Sequence, residues 1–365
     1  MKPRLLDLFS GVGGFSLALK DVCKTVGYCD IDLRSRRVLK ARMNDRLLDR
    51  APVFDDVNTL DGRTLLRKMR VSRVDIVTAG FPCQDVSVMN INGLGVEGKR
   101  SILVFEAIRI CAQVGASIFV FENSPNLKNR GLDKVKSVLE KNGYILQRGG
   151  VFAASDVGAP HERKRLYFIA ARGDKTADRL LSRLYSDTLN RFTGMFALDR
   201  WSVVSAPPRV TRKTEYSMDE LIRRGYLLGN SVVPQCVLRA VYVLTCELLG
   251  ICESPSMPKK RQNECSLTFL IPNDKTRTPG SKYESRAWAT PIATWWKISH
   301  VDSSRAARIL PNQILYEKRT RRYMIDRDRQ DGIVKFKGKE YENWIVNPEF
   351  IEWLMGYPNN WTRLD

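Results

Sequence analysis

The first 170 residues alternate short apolar runs with stretches in which apolar residues recur at helical spacing. The apolar runs are rich in Leu, Val and Ile and predict buried strands over 4–9, 25–29 and 74–79. The stretches between them predict helices over 15–22, 35–43 and 60–69. Strands that alternate with helices form βαβ units with parallel strands, so the pattern predicts an α/β fold built on a parallel sheet.

The same alternation continues further along the chain. Apolar residues at 102, 103, 105, 108 and 110 predict an amphipathic helix over 101–111. Buried strands are predicted over 117–121, 144–152 and 166–171. At 365 residues the chain is long enough for a second domain.

A glycine-rich turn, Ser10 to Gly14, lies between the first strand and the first helix. Glycines at such a turn allow the backbone to approach a nucleotide closely. A dinucleotide fingerprint requires a third glycine where this chain has Ser16, which disfavours an oxidoreductase that binds a pyrophosphate. Asp30 closes the second strand 19 residues after Gly11, a spacing at which a carboxylate can accept both ribose hydroxyls. The pattern therefore favours an adenosine-type ligand without a pyrophosphate.

Cys83 follows the predicted strand 74–79 in the sequence Gly80-Phe-Pro-Cys. Ligands of open α/β sheets bind at the carboxyl ends of the strands, and Pro82 restricts the direction in which the thiol points. The alternative is a small buried thiol beside a turn. The segment 85–99 contains glycines and lacks apolar periodicity, so it predicts a mobile lid next to a reactive cysteine.

Glu122 directly follows the strand 117–121, and so we expect it at the same edge of the sheet as Cys83. The alternative is a turn residue ahead of Pro125. A carboxylate that closes a wholly apolar strand is better explained by a functional site.

The charge balance points to a polyanion. Lys and Arg number 60 against 40 Asp and Glu, which gives a net charge of +20 and favours nucleic acid as the partner over a merely solvated surface. The eight cysteines form no C-x-x-C pair, and the two histidines are too few for a His-based triad, so neither a metal centre nor a disulfide framework is indicated. No apolar run approaches the roughly 20 residues of a membrane span, and no signal peptide is evident, so we expect an intracellular protein without a membrane segment.

Five ordered segments together resemble the motifs of the DNA cytosine-5 methyltransferases. They are Asp7 to Gly14, Gly80 to Gln84, Phe121 to Asn123, Arg163 to Arg165 and Gly229 to Gln235. The resemblance covers about 1–171 and 226–250. It implies a Rossmann-like α/β sheet that binds S-adenosylmethionine, joined to a smaller, irregular domain that recognises the target in duplex DNA.

The resemblance also implies roles for individual residues. Cys83 is the implied nucleophile, Glu122 the acid at the base, and Arg163 and Arg165 the anchors of that base. Within the cofactor pocket, Asp30 holds the ribose, Ile31 packs on the adenine and Asp56 faces its amino group. The remaining implied cofactor residues are Asp7, Phe9, Ser10, Gly11, Gly13, Pro82, Leu103, Asn230 and Ser231. The implied DNA contacts are Gln84, Ser87 and Arg100, and no metal is implied.

Three features depart from the family pattern. Ser124 stands where the family usually has Val, and His161 where it usually has Gln. Both residues lie beside the charged groups of the site and do not replace them. The segment 172–225 is short for a full recognition module and is interpreted as a connecting or recognition segment. The long tail 251–365 includes a basic, aromatic-containing stretch over 319–339, and we expect it to carry target recognition. Within it, 347–361 resembles a segment of phage-type members and is interpreted as a relocated structural motif.

Three functions are compatible with these motifs. The favoured one is DNA cytosine-5 methylation by a monomer, with a restriction endonuclease as a candidate partner. An RNA cytosine-5 methyltransferase of the tRNA-modifying branch shares the catalytic motifs, but the long basic C-terminal region disfavours so compact a substrate. A catalytically decayed nucleic-acid-binding protein is disfavoured because Cys83, Glu122 and Arg165 are all present.

Overall fold

The structure is a computed structural model that describes residues 1–82, 103–196, 207, 210–212, 215–251 and 344–364. Within these residues, seven strands form one sheet in the order β3-β2-β1-β4-β5-β7-β6. The strands are β1 Arg4–Leu8, β2 Lys24–Cys29, β3 Val53–Phe54, β4 Ile76–Gly80, β5 Ile118–Asn123, β6 Tyr144–Phe152 and β7 Arg165–Arg172. A separate antiparallel pair joins β8 Val210–Arg212 to β9 Trp344–Val346.

Helices cover both faces of the sheet. They are α1 Gly14–Leu19, α2 Leu33–Asn44, α3 Gly62–Met69, α4 Leu103–Gln113, α5 Leu132–Lys141, α6 Lys175–Phe196, α7 Met218–Asn230, α8 Pro234–Leu248 and α9 Pro348–Leu354. Apolar residues of α3, α4 and α5 form one core with one face of the sheet, and those of α1, α2, α6, α7, α8 and α9 form a second core with the other face. Side chains alternate between faces along a strand, so Phe119 and Phe121 of β5 enter the first core while Ile118 and Val120 enter the second. The expected α/β architecture, covered on both sides, is confirmed.

The prediction of a wholly parallel sheet is wrong for β7. Strands β3, β2, β1, β4 and β5 are parallel, but β7 is antiparallel to both of its neighbours, β5 and β6. The physical reason lies in the connections. The helix α5 carries the chain from β5 to β6, whereas residues 153–164 join β6 to β7 without a crossover α-helix, and so the chain must reverse direction.

The strand register brings the predicted motifs together at one edge of the sheet. Residue Leu8 pairs with Ala79, and Gly80 pairs with Glu122 on the next strand. The glycine-rich turn, the segment that leads to Cys83 and the carboxylate of Glu122 therefore emerge from three adjacent strands. This is the carboxyl edge at which open α/β sheets bind ligands.

The C-terminal segment 347–364 packs into the same core as the sheet. Its buried side chains include Phe350, Trp353, Tyr357 and Trp361, each at most 1% exposed. The predicted recognition region extended to residue 365, and this packing restricts it, as a proposal, to 252–343, which lies outside the described residues. The predicted connecting segment 172–225 likewise contains a core helix, because Ala177, Leu181 and Leu184 of α6 are buried.

One described stretch, Asp219–Leu248, is long and apolar enough to cross a membrane. It consists of α7 and α8, and most of it is buried inside the protein. Burial of this kind is typical of core helices in a globular fold.

Candidate functional site

The glycine-rich turn has a backbone that ordinary residues rarely adopt. Phe9, Gly11 and Gly13 have φ values of 52°, 52° and 85°, all in the left-handed region. A Cβ placed on Gly11 would meet no atom within 4 Å, so this part of the turn faces open space. A non-glycine residue such as Phe9 in this region is strained, and strain of this kind clusters at ligand-binding sites.

Asp30 is fixed against this turn by two backbone donors. The N–H of Gly11 donates to Oδ2 at 2.7 Å, and the N–H of Asp32 donates to Oδ1 at 2.9 Å. Burial raises the pKa of the Asp30 carboxyl, and these two hydrogen bonds oppose the rise. The carboxylate is thereby held at the mouth of the turn, at the end of β2, with lone pairs left to accept further hydrogen bonds.

The residues around Asp30 fit an adenosine moiety. Ile31 is 74% exposed, which leaves an apolar surface on which an aromatic ring can pack. The partly exposed carboxylate of Asp56, which caps a short 3₁₀ helix by accepting from the N–H of Asn58, supplies an acceptor at the end of β3. Open space at Gly11, an exposed apolar side chain and two carboxylates together match the chemistry of the ribose and adenine of S-adenosylmethionine.

Ser10 and Asp7 support the turn from below. The Ser10 hydroxyl donates to the carbonyl of Asp7 at 2.6 Å and accepts from the N–H of Cys29 at 3.1 Å, which ties β1 to β2. The Asp7 side chain is fully buried and accepts from the hydroxyls of Ser16 and Thr78 at 2.7 and 2.8 Å. These contacts are those of a residue that supports the turn, and the implied role of Asp7 as a cofactor residue stays a prediction.

Burial gives Asp7 a pH dependence that can be measured. It raises the pKa of this carboxyl to about 7, while the hydroxyls of Ser16 and Thr78 oppose the rise. A carboxyl whose pKa is raised on folding stabilises the protein fully below the pKa of the unfolded chain, and that contribution is lost as the pH rises through the folded pKa. The loss therefore falls between about pH 4 and pH 7.

We expect Asp7→Asn, which stays neutral, to stabilise the protein more at pH 8 than at pH 4.5. The change in the free energy of unfolding between the two conditions, relative to wild type, should be on the order of 2–4 kcal/mol. Urea denaturation at both pH values measures it. An Asn variant with the same effect at both pH values would contradict the proposed titration of Asp7.

Glu122 and Arg165 form an ion pair at the end of β5. The Arg165 Nε lies 3.1 Å from Glu122 Oε1, and the two side chains are 25% and 11% exposed. Burial raises the pKa of the Glu122 carboxyl, and the positive charges of Arg165 and Arg163 oppose the rise. The Glu122 side chain lies close to Gly80, because a Cβ added to this glycine would be 3.3 Å from Glu122 Oε2. The carboxyl group therefore lies next to the strand end that leads into Phe81, Pro82 and Cys83.

Arg163 makes different contacts from Arg165. Its backbone has a φ of 28°, and its buried guanidinium donates through Nη2 to the carbonyls of Gly229 and Ser231 at 2.9 and 2.6 Å. These bonds hold the segment that begins with Gly229 against the sheet. The predicted role of Arg163 as an anchor of the base stays a prediction, and its described contacts are those of a residue that positions this segment.

The other predicted residues divide into described and undescribed ones. Asn230 ends α7 with its side chain exposed, and Ser231 follows, buried, with its hydroxyl donating to the carbonyl of Leu228 at 2.8 Å. Pro82 and Leu103 are half-buried at either end of the segment 83–102. That segment lies outside the described residues and contains Cys83, Gln84, Ser87, Arg100 and the predicted lid.

Sequence reasoning did not identify the residues that join the C-terminal segment to the site. The indole of Trp361 donates through Nε1 to the carbonyl of Val12 at 2.8 Å, and the Tyr357 hydroxyl donates to the carbonyl of Val232 at 2.9 Å. The Leu354 carbonyl is 2.9 Å from Nε2 of the buried His161. The signal in the sequence was the resemblance of 347–361 to a segment of phage-type members, which indicated a structural motif but not its place in the fold.

Comparison with known proteins extends the geometric description. The family model for C-5 cytosine-specific DNA methylases matches residues 3–220. The type II methyltransferase M.CviJI of Paramecium bursaria Chlorella virus IL3A is 28% identical over 235 residues, 64% of this chain and 57% of that protein. The type II methyltransferase M.PspPI of Psychrobacter sp. (strain TA137) is 33% identical over 176 residues, 47% of this chain and 40% of that protein. The chain thus spans about half the length of the curated relatives it matches.

Among solved structures, the Dnmt2 methyltransferase of S. pombe aligns with a TM-score of 0.37 at 21% identity, over 48% of this chain and 52% of that chain. The family match is the decisive finding, because it runs through β1, the glycine-rich turn, β4, β5 and β7, which together build the site. With the site and the match in agreement, the chain belongs to the C-5 cytosine-specific DNA methylase family.

Proposed function

We propose that this protein transfers the methyl group of S-adenosylmethionine to carbon 5 of a cytosine in duplex DNA. The observation that carries the proposal is the ion pair between the buried Glu122 and the partly exposed Arg165, next to Gly80 at the carboxyl edge of the sheet. A carboxyl group and a guanidinium held side by side match the ring nitrogen 3 and the carbonyl oxygen of cytosine. Family membership supports the same reaction.

The proposed reaction begins with Cys83. Carbon 5 of cytosine is too electron-poor to attack a sulfonium methyl group, so the thiolate first forms a bond to carbon 6. The electron pair of the 5,6 double bond moves toward carbon 5, which becomes nucleophilic. S-Adenosylmethionine supplies an electrophilic methyl group and leaves as S-adenosylhomocysteine. Loss of the carbon 5 proton to a base then restores the double bond as the bond between carbon 6 and sulfur breaks.

Glu122 and Arg165 stabilise the addition step in this proposal. Burial raises the pKa of the Glu122 carboxyl, so its protonated form persists to higher pH and can donate to ring nitrogen 3. The guanidinium of Arg165, 3.1 Å from that carboxyl, can donate to the carbonyl oxygen, where negative charge develops. Both groups are positioned by strands before any substrate binds.

A cytosine in a stacked duplex cannot reach this site, because Glu122 is buried at the sheet edge. The base must therefore be flipped out of the helix, as in other enzymes that modify bases. The net charge of +20 supports binding to the phosphate backbone. Recognition of the target sequence is assigned, as part of the proposal, to 252–343. The monomeric state and a companion restriction endonuclease stay predictions.

The decisive experiment supplies the protein with methyl-labelled S-adenosylmethionine and either duplex DNA or tRNA. We expect label in DNA as 5-methylcytosine, and sequencing of the modified cytosines would give the target site. Label in tRNA alone would replace the proposal with an RNA methyltransferase. No transfer to either, with cofactor binding intact, would indicate a nucleic-acid-binding protein without catalytic activity.

Replacement of Glu122 with Gln should lower kcat/KM for DNA by about 10²–10³-fold, since the amide cannot transfer a proton to ring nitrogen 3. The affinity for S-adenosylhomocysteine should change less than about twofold. Glu140→Gln, at an exposed position on α5, is the control and should retain wild-type kinetics. A comparable loss of kcat/KM in Glu140→Gln would show that the effect of Glu122→Gln does not come from the loss of proton transfer to ring nitrogen 3.

A further inference from the structure

We propose that Tyr357 and Trp361 are positioning residues for the S-adenosylmethionine site, although neither contacts the ligand. The inference rests on the proposed function and adds the C-terminal segment to the parts of the chain that determine cofactor affinity. Its basis is a pair of side-chain hydrogen bonds that reach the two loops of the pocket from one short segment.

The first bond fixes the segment that contains Asn230 and Ser231. The fully buried hydroxyl of Tyr357 donates to the carbonyl of Val232 at 2.9 Å. From another side, Arg163 donates to the carbonyls of Gly229 and Ser231. Three of the four carbonyls of residues 229–232 are therefore held by side chains from two remote parts of the chain, which restricts the movement of this backbone.

The same hydroxyl also lies against the glycine-rich turn. A Cβ added to Gly14, the first residue of α1, would clash with the Tyr357 hydroxyl and with Val232. Glycine is therefore needed at this position so that α1, Tyr357 and the 229–232 segment can meet. Tyr357 occupies the junction between the two loops that the proposed cofactor must touch.

The second bond fixes the glycine-rich turn itself. The indole of Trp361 is fully buried and donates to the carbonyl of Val12 at 2.8 Å. Val12 lies between Gly11 and Gly13, whose left-handed backbone forms the turn. Because a buried carbonyl that loses its donor is destabilised, loss of the indole N–H should favour rearrangement of the turn.

The segment that contains Tyr357 and Trp361 follows the proposed recognition region closely in the sequence. In the chain, the proposed recognition region 252–343 lies between α8 and β9. Strand β9 leads directly into α9 and then to Tyr357 and Trp361. The cofactor loops are therefore anchored to the segment that directly follows the proposed recognition region in the sequence.

The test uses Tyr357→Phe, which removes one hydroxyl and keeps the ring. The control is Tyr144→Phe, because Tyr144 is equally buried and its hydroxyl donates to the carbonyls of Cys111 and Ala116, in the other core. The readouts are the Kd of S-adenosylhomocysteine by calorimetry, the KM values for S-adenosylmethionine and DNA, and the Tm.

We expect Tyr357→Phe to weaken S-adenosylhomocysteine binding about five- to tenfold and to raise the KM for S-adenosylmethionine similarly, with the KM for DNA within twofold. Tyr144→Phe should lower the Tm to a similar degree without changing the Kd. Trp361→Phe is a second test and should weaken cofactor binding as Tyr357→Phe does.

Unchanged affinity in both Tyr357→Phe and Trp361→Phe would overturn the inference, and so would an equal loss in Tyr144→Phe, which would reflect general destabilisation. Failure of the proposed function gives a different result. In that case the wild-type protein itself would neither bind S-adenosylhomocysteine nor methylate nucleic acid.

Discussion

Replacing Cys83 with alanine is expected to abolish methyl transfer, with a loss of at least about 10⁴-fold in kcat. Without the thiolate, no bond forms to carbon 6, and carbon 5 stays too electron-poor to accept a methyl group. The Kd of S-adenosylhomocysteine should remain near the wild-type value, since Gly11 and Asp30 follow the ends of two other strands, β1 and β2. Labelled methyl incorporation into DNA measures the first effect and calorimetry the second.

The control for this experiment is Cys111→Ala. Cys111 is a free, fully buried thiol on α4, and burial raises its pKa to about 12, so it is not a nucleophile at neutral pH. This variant should keep wild-type turnover at a small loss of stability. Turnover by Cys83→Ala at a rate near that of wild type would rule out the covalent mechanism.

The largest expected effect on stability is that of Glu352→Ala. Glu352 Oε1 accepts from Arg224 Nη2 at 2.7 Å and from the N–H and hydroxyl of Thr362 at 2.8 and 2.6 Å. Both charged side chains are fully buried. Removing the carboxylate leaves the buried Arg224 guanidinium with only the longer pair to Glu220 at 3.4 Å, which should lower the free energy of unfolding by about 3–5 kcal/mol.

Urea denaturation measures this loss, with Glu247→Ala as the control. Glu247 pairs with Arg148 on the surface, where the two side chains are 41% and 57% exposed. Its removal should cost less than about 1 kcal/mol, because exposed ion pairs are weak. If both variants lost the same small amount of unfolding free energy, the ion pair of Glu352 with Arg224 would not stabilise the packing of the C-terminal segment on α7.

These contacts show what local patterns in the sequence could predict and what they could not. The strand ends near Gly80 and Glu122 were predictable from the local sequence. A run of apolar side chains indicates a buried strand, and a Pro or a charged residue after the run indicates where the strand ends. The spacing from Gly11 to Asp30 was equally informative, and the structure joins the two by a hydrogen bond of 2.7 Å.

Features that depend on remote parts of the chain were not predictable in this way. The apolar pattern of 166–171 indicated a strand but carried no information on its direction, and the absence of a crossover helix after β6 decides that β7 is antiparallel. Nothing near Arg163 in the sequence indicates that its guanidinium reaches Gly229 and Ser231. The segment 347–361 was interpreted as a structural motif, but the partners of Tyr357 and Trp361 lie 125 and 349 residues away.

The packing of the C-terminal segment also changes how target recognition can be tested. Truncation after Leu249 would remove Phe350, Trp353 and Trp361 from the core and would unfold the protein rather than only remove recognition. An exchange of 252–343 with the equivalent region of a relative leaves these residues in place. Such a chimaera isolates target choice from folding and from cofactor binding.

The bond between Trp361 and Val12 also has a consequence for biosynthesis. These two residues are separated by 349 positions, so the glycine-rich turn emerges from the ribosome long before the indole that completes it. At about 5–20 residues per second, this interval lasts roughly 17–70 s. During that time the nascent chain exposes the apolar surface that α9 later covers. Contacts of such high sequence separation slow folding, so the nascent protein is expected to depend on chaperones until translation passes Trp361.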